Sequence, residues 1–495
     1  MAVEKVVGIE TEYGIAGGPD LDPITSSSII VNAYARQGRT RINWDFHGET
    51  PDLDARGLPG LTSFAPVVET HLANTVLTNG ARLYVDHAHP EYSSPECRTP
   101  REATLYDVAG EEVMRRALTV ANESLEPHQA ITLYKNNSDG KGNSYGTHEN
   151  YLLSRSTDFA HVIRAMVPHF VSRQVVLGAG KVGAETEHGM ESRPFFQLSQ
   201  RAEFFEEIVG LETTLKRPII NTRDEPHSDA ERFRRLHVII GDANMSQYAT
   251  FVKLGSTALL LALLEERGPD VFPSPPRHPV RAVRAYALDT SLEVTELCDD
   301  DKQRTAWDLQ DELWTLALGF VDSNGGAAVG DPAEVSMILD QWREMLDGVR
   351  YDPDSVADRV DWVAKLRIVR GYRDRHELND DDVKLQAIDL QYHDIRPQRS
   401  LAQRVGLRAL VDDDQVREAV HNPPRDTRAF FRGQCVARYP DQIAAANWDS
   451  VVFDLGDGPL QRVPMMDPLR GTAALTEDLL KVCPTADDLL EALDR

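Results

Sequence analysis

Residues 80–96 read GARLYVDHAHPEYSSPE, an extended strand that runs into a polar turn. Side chains alternate across a strand, so Leu83 and Val85 point one way and Arg82, Tyr84 and Asp86 the other. The first face suits a hydrophobic core. A cation, a phenol and a carboxylate make a poor core and a good floor for a site, although a solvated strand face carries the same alternation. His87, His89 and Glu91 follow, with the chain expected to turn at Pro90.

A second strand, VVGIETEYG at 6–14, puts Glu10 and Glu12 on one face and Ile9, Thr11 and Tyr13 on the other. Two carboxylates two residues apart repel unless a cation or a basic group lies between them. Hard oxygen ligands of this kind suit Mg²⁺, which takes one or two protein carboxylates and completes its shell with water and phosphate oxygens. An edge strand charged against aggregation is the alternative.

Further polar strand faces appear downstream. The Gly/Asn loop 135–146 returns as a strand with His148, Asn150 and Leu152 on one face; its glycines suit either an anion cradle or a plain hairpin. Within 217–244, Ile219 and Ile220 end a strand and Arg223, Asp224, Glu225 and His227 sit at a turn. A short helix is expected over 229–236, then a strand with His237, Ile239 and Gly241 on one face. A histidine beside an arginine-bearing turn suits metal and phosphate. Helices are expected over 102–125, 158–175, 254–267, 305–319, 334–348 and 355–373. The stretch 45–65, rich in Gly, Pro and Asp, reads as a long loop beside the candidate site. GAGKVG at 178–183 matches a dinucleotide fingerprint in letters, but no helix opens after it, so the motif lacks its context.

Short strands with polar faces, joined without regular βα alternation, predict an α+β fold. Its large domain is a curved antiparallel sheet packed on helices, spanning 1–424, with a small C-terminal domain at 425–495 after the proline pair Pro423–Pro424. The 495 residues are 41% hydrophobic and 7% aromatic, which is ordinary for a globular chain. A net charge of −26 argues against nucleic acid as a partner. The most apolar run, Thr257–Leu264, is too short to span a bilayer and ends in Glu265, Glu266 and Arg267, so no membrane partner is expected. Four scattered cysteines with no CxxC pair, and no targeting segment, fit a reducing cytoplasm. Arg173, Lys181, Arg193, Arg201, Arg232, Arg234 and Arg235 are candidates for a basic groove in an otherwise acidic shell.

The segments GIETEYG (8–14), NGARLYVDHAHPEY (79–92), KNNSDGKGNSYGTHENYL (135–152), RPIINTRDEPHSDAERFRRLHVIIGDANMS (217–246) and NPPRDTRAFFRG (422–433) resemble the Pup ligase and depupylase family. That family is similar in its large domain to the glutamine synthetase and glutamate–cysteine ligase superfamily. One branch attaches the small acidic protein Pup to lysines. The other deamidates Pup and removes it from its targets. The loop at about 45–65 and the turn DHAHPEYSSPE, one residue shorter than in the ligases, resemble the depupylase branch.

The resemblance implies ATP and Mg²⁺ as cofactors and Pup and pupylated proteins as partners. It implies Asp86 as the catalytic residue. Glu10 and Glu91 would bind Mg²⁺ with Tyr84 nearby, and Glu12, His148 and His237 would complete the metal and phosphate shell. Arg82, Ser94 and Trp448 match nucleotide-binding positions, with Trp448 beside the base. Arg201, Arg223 and Arg432 would hold phosphates or the carboxylate at the Pup C-terminus. Two other activities fit the same residues: ligation of Pup to lysine, and nucleotide or Pup binding without catalysis.

Overall fold

Six strands make one sheet in a computed structural model that describes residues 2–37, 42–57, 73–185, 194–456 and 458–494. They are β1 (Val7–Glu12), β2 (Asn74–Val76), β3 (Arg82–Asp86), β4 (His89–Ser93), β5 (Thr147–Ser154) and β6 (Phe233–Val238), in the spatial order β6-β5-β1-β4-β3-β2. Every neighbouring pair is antiparallel. Alternation then divides the sheet. Val7, Leu83, Val85, Tyr92, Tyr151, Leu153 and Leu236 are buried on one side, in the main hydrophobic core. Helices α1 (Pro23–Gln37), α2 (Pro100–Glu123), α3 (Phe159–Ser172) and α4 (Gln247–Arg267) contribute to that core, as do Ala306–Asn324, Pro332–Tyr351 and Asp361–Arg375.

Helix α2 begins where Thr99 accepts a hydrogen bond from the Glu102 N–H, with Pro100 in the first turn. It lies close against the sheet because Gly110 has no side chain; a Cβ there would overlap the Tyr92 ring. Helix α4 is long and apolar enough to cross a membrane, but 94% of that window is buried inside the protein. It is a core helix.

A second, smaller core gathers around helices Ala429–Arg438, Ala473–Val482 and Ala486–Leu493, and it includes Ile42, Trp44 and Val76 from the N-terminal part. Its sheet runs in the order Gln461–Pro464, Ser450–Phe453, Ile443–Ala446, Asn43–Trp44. Asn43–Trp44 pairs in parallel with Ala445 and Ala446, while Ile42 O accepts from the Val76 N–H at 3.2 Å. The two-residue strand therefore joins the two sheets. Cys97, Cys298, Cys435 and Cys483 are all buried and unpaired.

The local reading needs four corrections. The turn falls at His87–Ala88, with His87 at φ 50°, and Pro90 lies inside β4 opposite Val85. Val85 donates its N–H to Ala73 on its other side, so the missing proline N–H is not called for. The helix expected over 229–236 is instead the strand β6: pairing with β5 prevails over the helix propensity of its charged residues. That strand stops at Val238, and Ile239 is buried in the core rather than facing the site with His237. The helices Pro23–Gln37, Pro279–Leu288, Val383–Tyr392, Asp413–Ala419, Ala429–Arg438 and Ala473–Val482 fall within none of the expected spans. Of the loop at 45–65, only 45–57 lies within the described residues, where it rests on the 222–225 turn through Ala55 N–H to Thr222 O at 2.8 Å and Thr50 N–H to Glu225 Oε1 at 2.6 Å.

Candidate active site

The other side of the sheet is polar by register. Glu10 stands opposite Ser93 on β4 and His148 on β5; Glu12 and Tyr84 both stand opposite Glu91; Asp86 stands opposite His89; His237 stands opposite Asn150. Residues directly opposite in an antiparallel ladder share a face. Residues drawn from five separate stretches of chain thus converge on one floor.

Two groups of ligand atoms form there, each with all its atoms within 4.8 Å of one another: Glu10, His148 and His237, and Glu12, Asp86 and Glu91. In the first, His148 Nδ1 lies 3.6 Å from Glu10 Oε2, and the His148 and His237 rings meet edge to face at 4.9 Å. Asn150 donates to Glu10 Oε1 at 2.7 Å and accepts from Arg235 at 2.6 Å. Burial alone would raise the Glu10 pKa, but the His148 hydrogen bond and the charges of His237 and Arg235 outweigh it and hold the carboxyl well below its usual range. His237 is pushed well below the ordinary imidazole range, first by burial and then by Arg235.

The second group is different. Tyr84 donates to Glu91 Oε1 at 2.6 Å, and the Gly146 N–H donates to Glu12 Oε1 at 2.7 Å. Burial, then the charges of Asp86, Glu12 and Glu10, push Glu91 well above the carboxylate range. Burial would raise Asp86 as well, but the hydrogen bond and charge of His87 outweigh it and keep the group low. Three carboxyls meeting without an arginine or lysine among them suit a hard dication. Gly146 is required here, since a Cβ would overlap the His148 ring and press on Glu12 Oε1.

A cleft of about 580 Å³, open to solvent, runs from this floor toward the C-terminal part, lined by Glu10, Ser94, Asn150, His227, Arg235 and Trp448 among others. Ser94 Oγ accepts from the Ile9 N–H at 3.0 Å. Arg82 lies with its guanidinium carbon 3.8 Å from the Tyr84 ring centre and 4.1 Å from that of Trp44. Arg223 has a buried Nε with no hydrogen-bond partner, and it exerts its charge on His237 and Arg235. Arg201 is fully buried below the floor, hydrogen-bonded to Ser144 Oγ and Ile239 O, and burial together with nearby Arg217 brings its pKa down to about 10.

Arg432 is placed differently from what the sequence suggested. It is buried behind Trp448, donating to Glu96, Gly80 O and Trp448 O, so its hydrogen bonds are spent within the protein. Glu96 also accepts from Arg428 at 2.7 Å, and although burial opposes it, the two arginines hold the Glu96 pKa at about 2. The basic groove does not form from its candidates. Arg173 is buried on Glu149, Lys181 on Glu203 and Glu185, Arg232 pairs with Asp467, and Arg234 packs on Phe159. Arg193 lies outside the described residues, and of the seven only Arg235 lines the cleft.

Trp44, Asn150, Glu96 and Arg428 belong to the site or its support and were given no role from sequence, and Arg235 was named only for the basic groove. Asn150 could have been given a role, since it shares the alternation of His148. Glu96 and Arg428 are 332 residues apart and gave no local signal.

The family model described as Pup-ligase protein matches residues 5–452. The chain belongs to the Pup-ligase protein family. Among curated relatives, a depupylase of Acidothermus cellulolyticus is 50% identical, over 99% of both chains, and a Pup deamidase/depupylase of Mycolicibacterium smegmatis is 46% identical, over 99% of this chain and 100% of that one. A Pup–protein ligase of Acidimicrobium ferrooxidans is 37% identical, over 96% and 98%. Among solved structures, the Pup ligase PafA in complex with Pup is similar with a TM-score of 0.80 at 28% identity, covering 99% of this chain and 95% of that one. PafA in complex with ADP gives 0.74 at 31%, covering 82% and 89%.

Proposed function

We propose that this family member is a nucleotide-dependent Pup deamidase and depupylase, acting on the C-terminal Gln of Pup and on the isopeptide bond between Pup and a substrate lysine. The observation that carries the proposal is Asp86, kept ionised by His87 and half-exposed at the edge of the Glu12/Asp86/Glu91 group. The depupylase branch is supported by 46–50% identity to relatives named for that activity, against 36–37% for the ligases. Pup and pupylated proteins are the partners. Nucleic acid and membranes are not, and the reducing cytoplasm is the compartment that four unpaired cysteines suit.

Nucleotide binding is supported by the ADP-bound PafA relative and by a cleft ending at Trp448. Ser94 and Arg82 would contact ATP along it, with Trp448 beside the base and Arg223 reaching the phosphates. Arg201 would act from beneath through its charge. Mg²⁺ would be held by Glu12 and Glu91 of the all-oxygen group and by Glu10 of the other group, where His148 and His237 would complete the metal and phosphate shell. Tyr84, whose phenol is kept protonated by burial and Glu91, orients Glu91. Bound Mg²⁺ would supply Lewis-acid polarisation and relieve the repulsion among the carboxylates. We further propose a large catalytic unit at 1–424 and a small one at 425–495 that carries Trp448.

Asp86 reacts at the side-chain carbonyl of the last Pup residue, either as the nucleophile or as the base for an attacking water or phosphate. Along the nucleophilic route the C–N bond breaks, the amine leaves with a proton, and water then releases the acyl group from Asp86, giving Glu and the free aspartate. Deamidation of Pup ending in Gln, with and without ATP and Mg²⁺, tests the reading. The parent chain should form Pup ending in Glu only with both, and Asp86→Asn should lose about 10³-fold or more in turnover while still binding Pup. Formation of a Pup–lysine conjugate without deamidation would assign the chain to the ligase branch.

A further inference from the structure

Trp44 is not among the candidate site residues, yet it touches two of them, Arg82 and Trp448. Its ring is 95% buried and its Nε1–H donates to Glu49 Oε1 at 2.7 Å, which sets the plane of the indole. The Arg82 guanidinium lies over that plane at 4.1 Å and over Tyr84 at 3.8 Å, so it is held between two rings. Arg82 Nε donates to Asn74 Oδ1 at 3.2 Å. Trp448 meets the same indole edge to face, with centroids 5.1 Å apart and planes at 70°. Behind Trp448 the Arg432 guanidinium lies 5.1 Å from its ring and donates to its carbonyl oxygen at 2.9 Å.

A stacked guanidinium keeps its charge but loses rotational freedom, so less order remains to be imposed when an anion binds. An edge-to-face pair fixes a ring at a chosen tilt in the same way. We propose that Trp44 is a positioning residue for nucleotide binding: it holds Arg82 flat for the phosphates and tilts Trp448 for the base, without touching the nucleotide itself. The inference rests on the nucleotide reading given above. It also accounts for the two-residue strand Asn43–Trp44, whose pairing with Ala445 and Ala446 brings the indole to the Trp448 side of the cleft.

Calorimetric titration of the full chain with Mg–ATP tests it. Trp44→Leu fills much of the volume but offers no ring face, and it should weaken nucleotide affinity about tenfold. Trp44→Phe keeps a face for the guanidinium and should lose about threefold, and in an Arg82→Lys background, where no planar group remains to be held, it should lose less. The apparent KM for ATP in deamidation should rise in parallel, with kcat at saturating ATP within about twofold of the parent. A Trp44→Leu protein that melts with the parent and binds ATP within twofold of it overturns the assignment. Should Trp44→Leu not fold, a Trp44→Phe loss that is equal in the parent and Arg82→Lys backgrounds overturns it instead. A parent chain that binds no nucleotide removes the broader reading and this one together.

Discussion

Both faces of the large sheet bear buried carboxylates, and the two sets are treated in opposite ways. On the helix side Glu149 meets Arg173 in a bidentate pair at 2.6 and 2.9 Å, and Asp107 meets Lys135 at 2.7 Å. On the open side Glu12, Asp86 and Glu91 face one another, and among the described residues their hydrogen-bond and ion-pair partners are histidines, a tyrosine and a backbone amide. Burial would raise Glu149, but Arg173 outweighs it and lowers the group, whereas Glu91 is driven up by burial and by its acidic neighbours. One face is balanced within the chain; the other gathers carboxyls without a basic partner of that kind, as the proposed Mg²⁺ site requires.

That contrast predicts opposite outcomes for the same chemical change. Glu149→Gln leaves Arg173 buried without its partner and should lower the unfolding free energy by about 3–5 kcal/mol in urea titrations. Glu91→Gln removes the cost of keeping that buried carboxyl protonated among its acidic neighbours and should leave the midpoint unchanged or raise it while abolishing deamidation. Equal losses in the two variants would erase the distinction between the faces.

Glu96 lies between these extremes, a balanced carboxylate at the wall of the cleft. Its folded pKa of about 2 is below the ordinary 4.5, so it stabilises the fold above pH 4.5 and loses that contribution as pH falls from about 4.5 toward about 2. The stability gap between the parent and Glu96→Gln should shrink by about 3 kcal/mol across that window. A constant gap would mean that Glu96 is not held by Arg428 and Arg432 as described.

The smallest effect concerns the unbalanced face directly. With its pKa raised, metal-free Glu91 retains a proton that the unfolded chain has released, so stability should fall as pH rises above the ordinary carboxylate range. Mg²⁺ at tenfold its Kd should return about 1.4 kcal/mol, seen as a rise in Tm at neutral pH. Glu91→Gln should show a reduced gain or none.

The alternation in Arg82-Leu83-Tyr84-Val85-Asp86 and in Glu10-Thr11-Glu12 was enough to place both acid-bearing strands on a sheet and to choose their open face, because a period of two survives in any register. His148 and His237 were legible for the same reason. The polar strand Phe233–Val238 was not, since its charged residues look helical until β5 supplies the partner. Arg432 was misjudged for a related reason: an arginine that binds phosphate and one that braces a tryptophan have the same letter, and only Glu96, 336 residues away, tells them apart. Trp44 gave no signal because its role depends on two rings and a guanidinium from three separate stretches.

The strand Asn43–Trp44 carries one more consequence. During synthesis the floor, complete by residue 238, emerges well before the segment 443–446 that pairs with this strand and before Trp448. On the nucleotide reading proposed above, a nascent chain therefore has the residues of the acid cluster before those of the opposing wall, which is complete only once 443–448 has emerged.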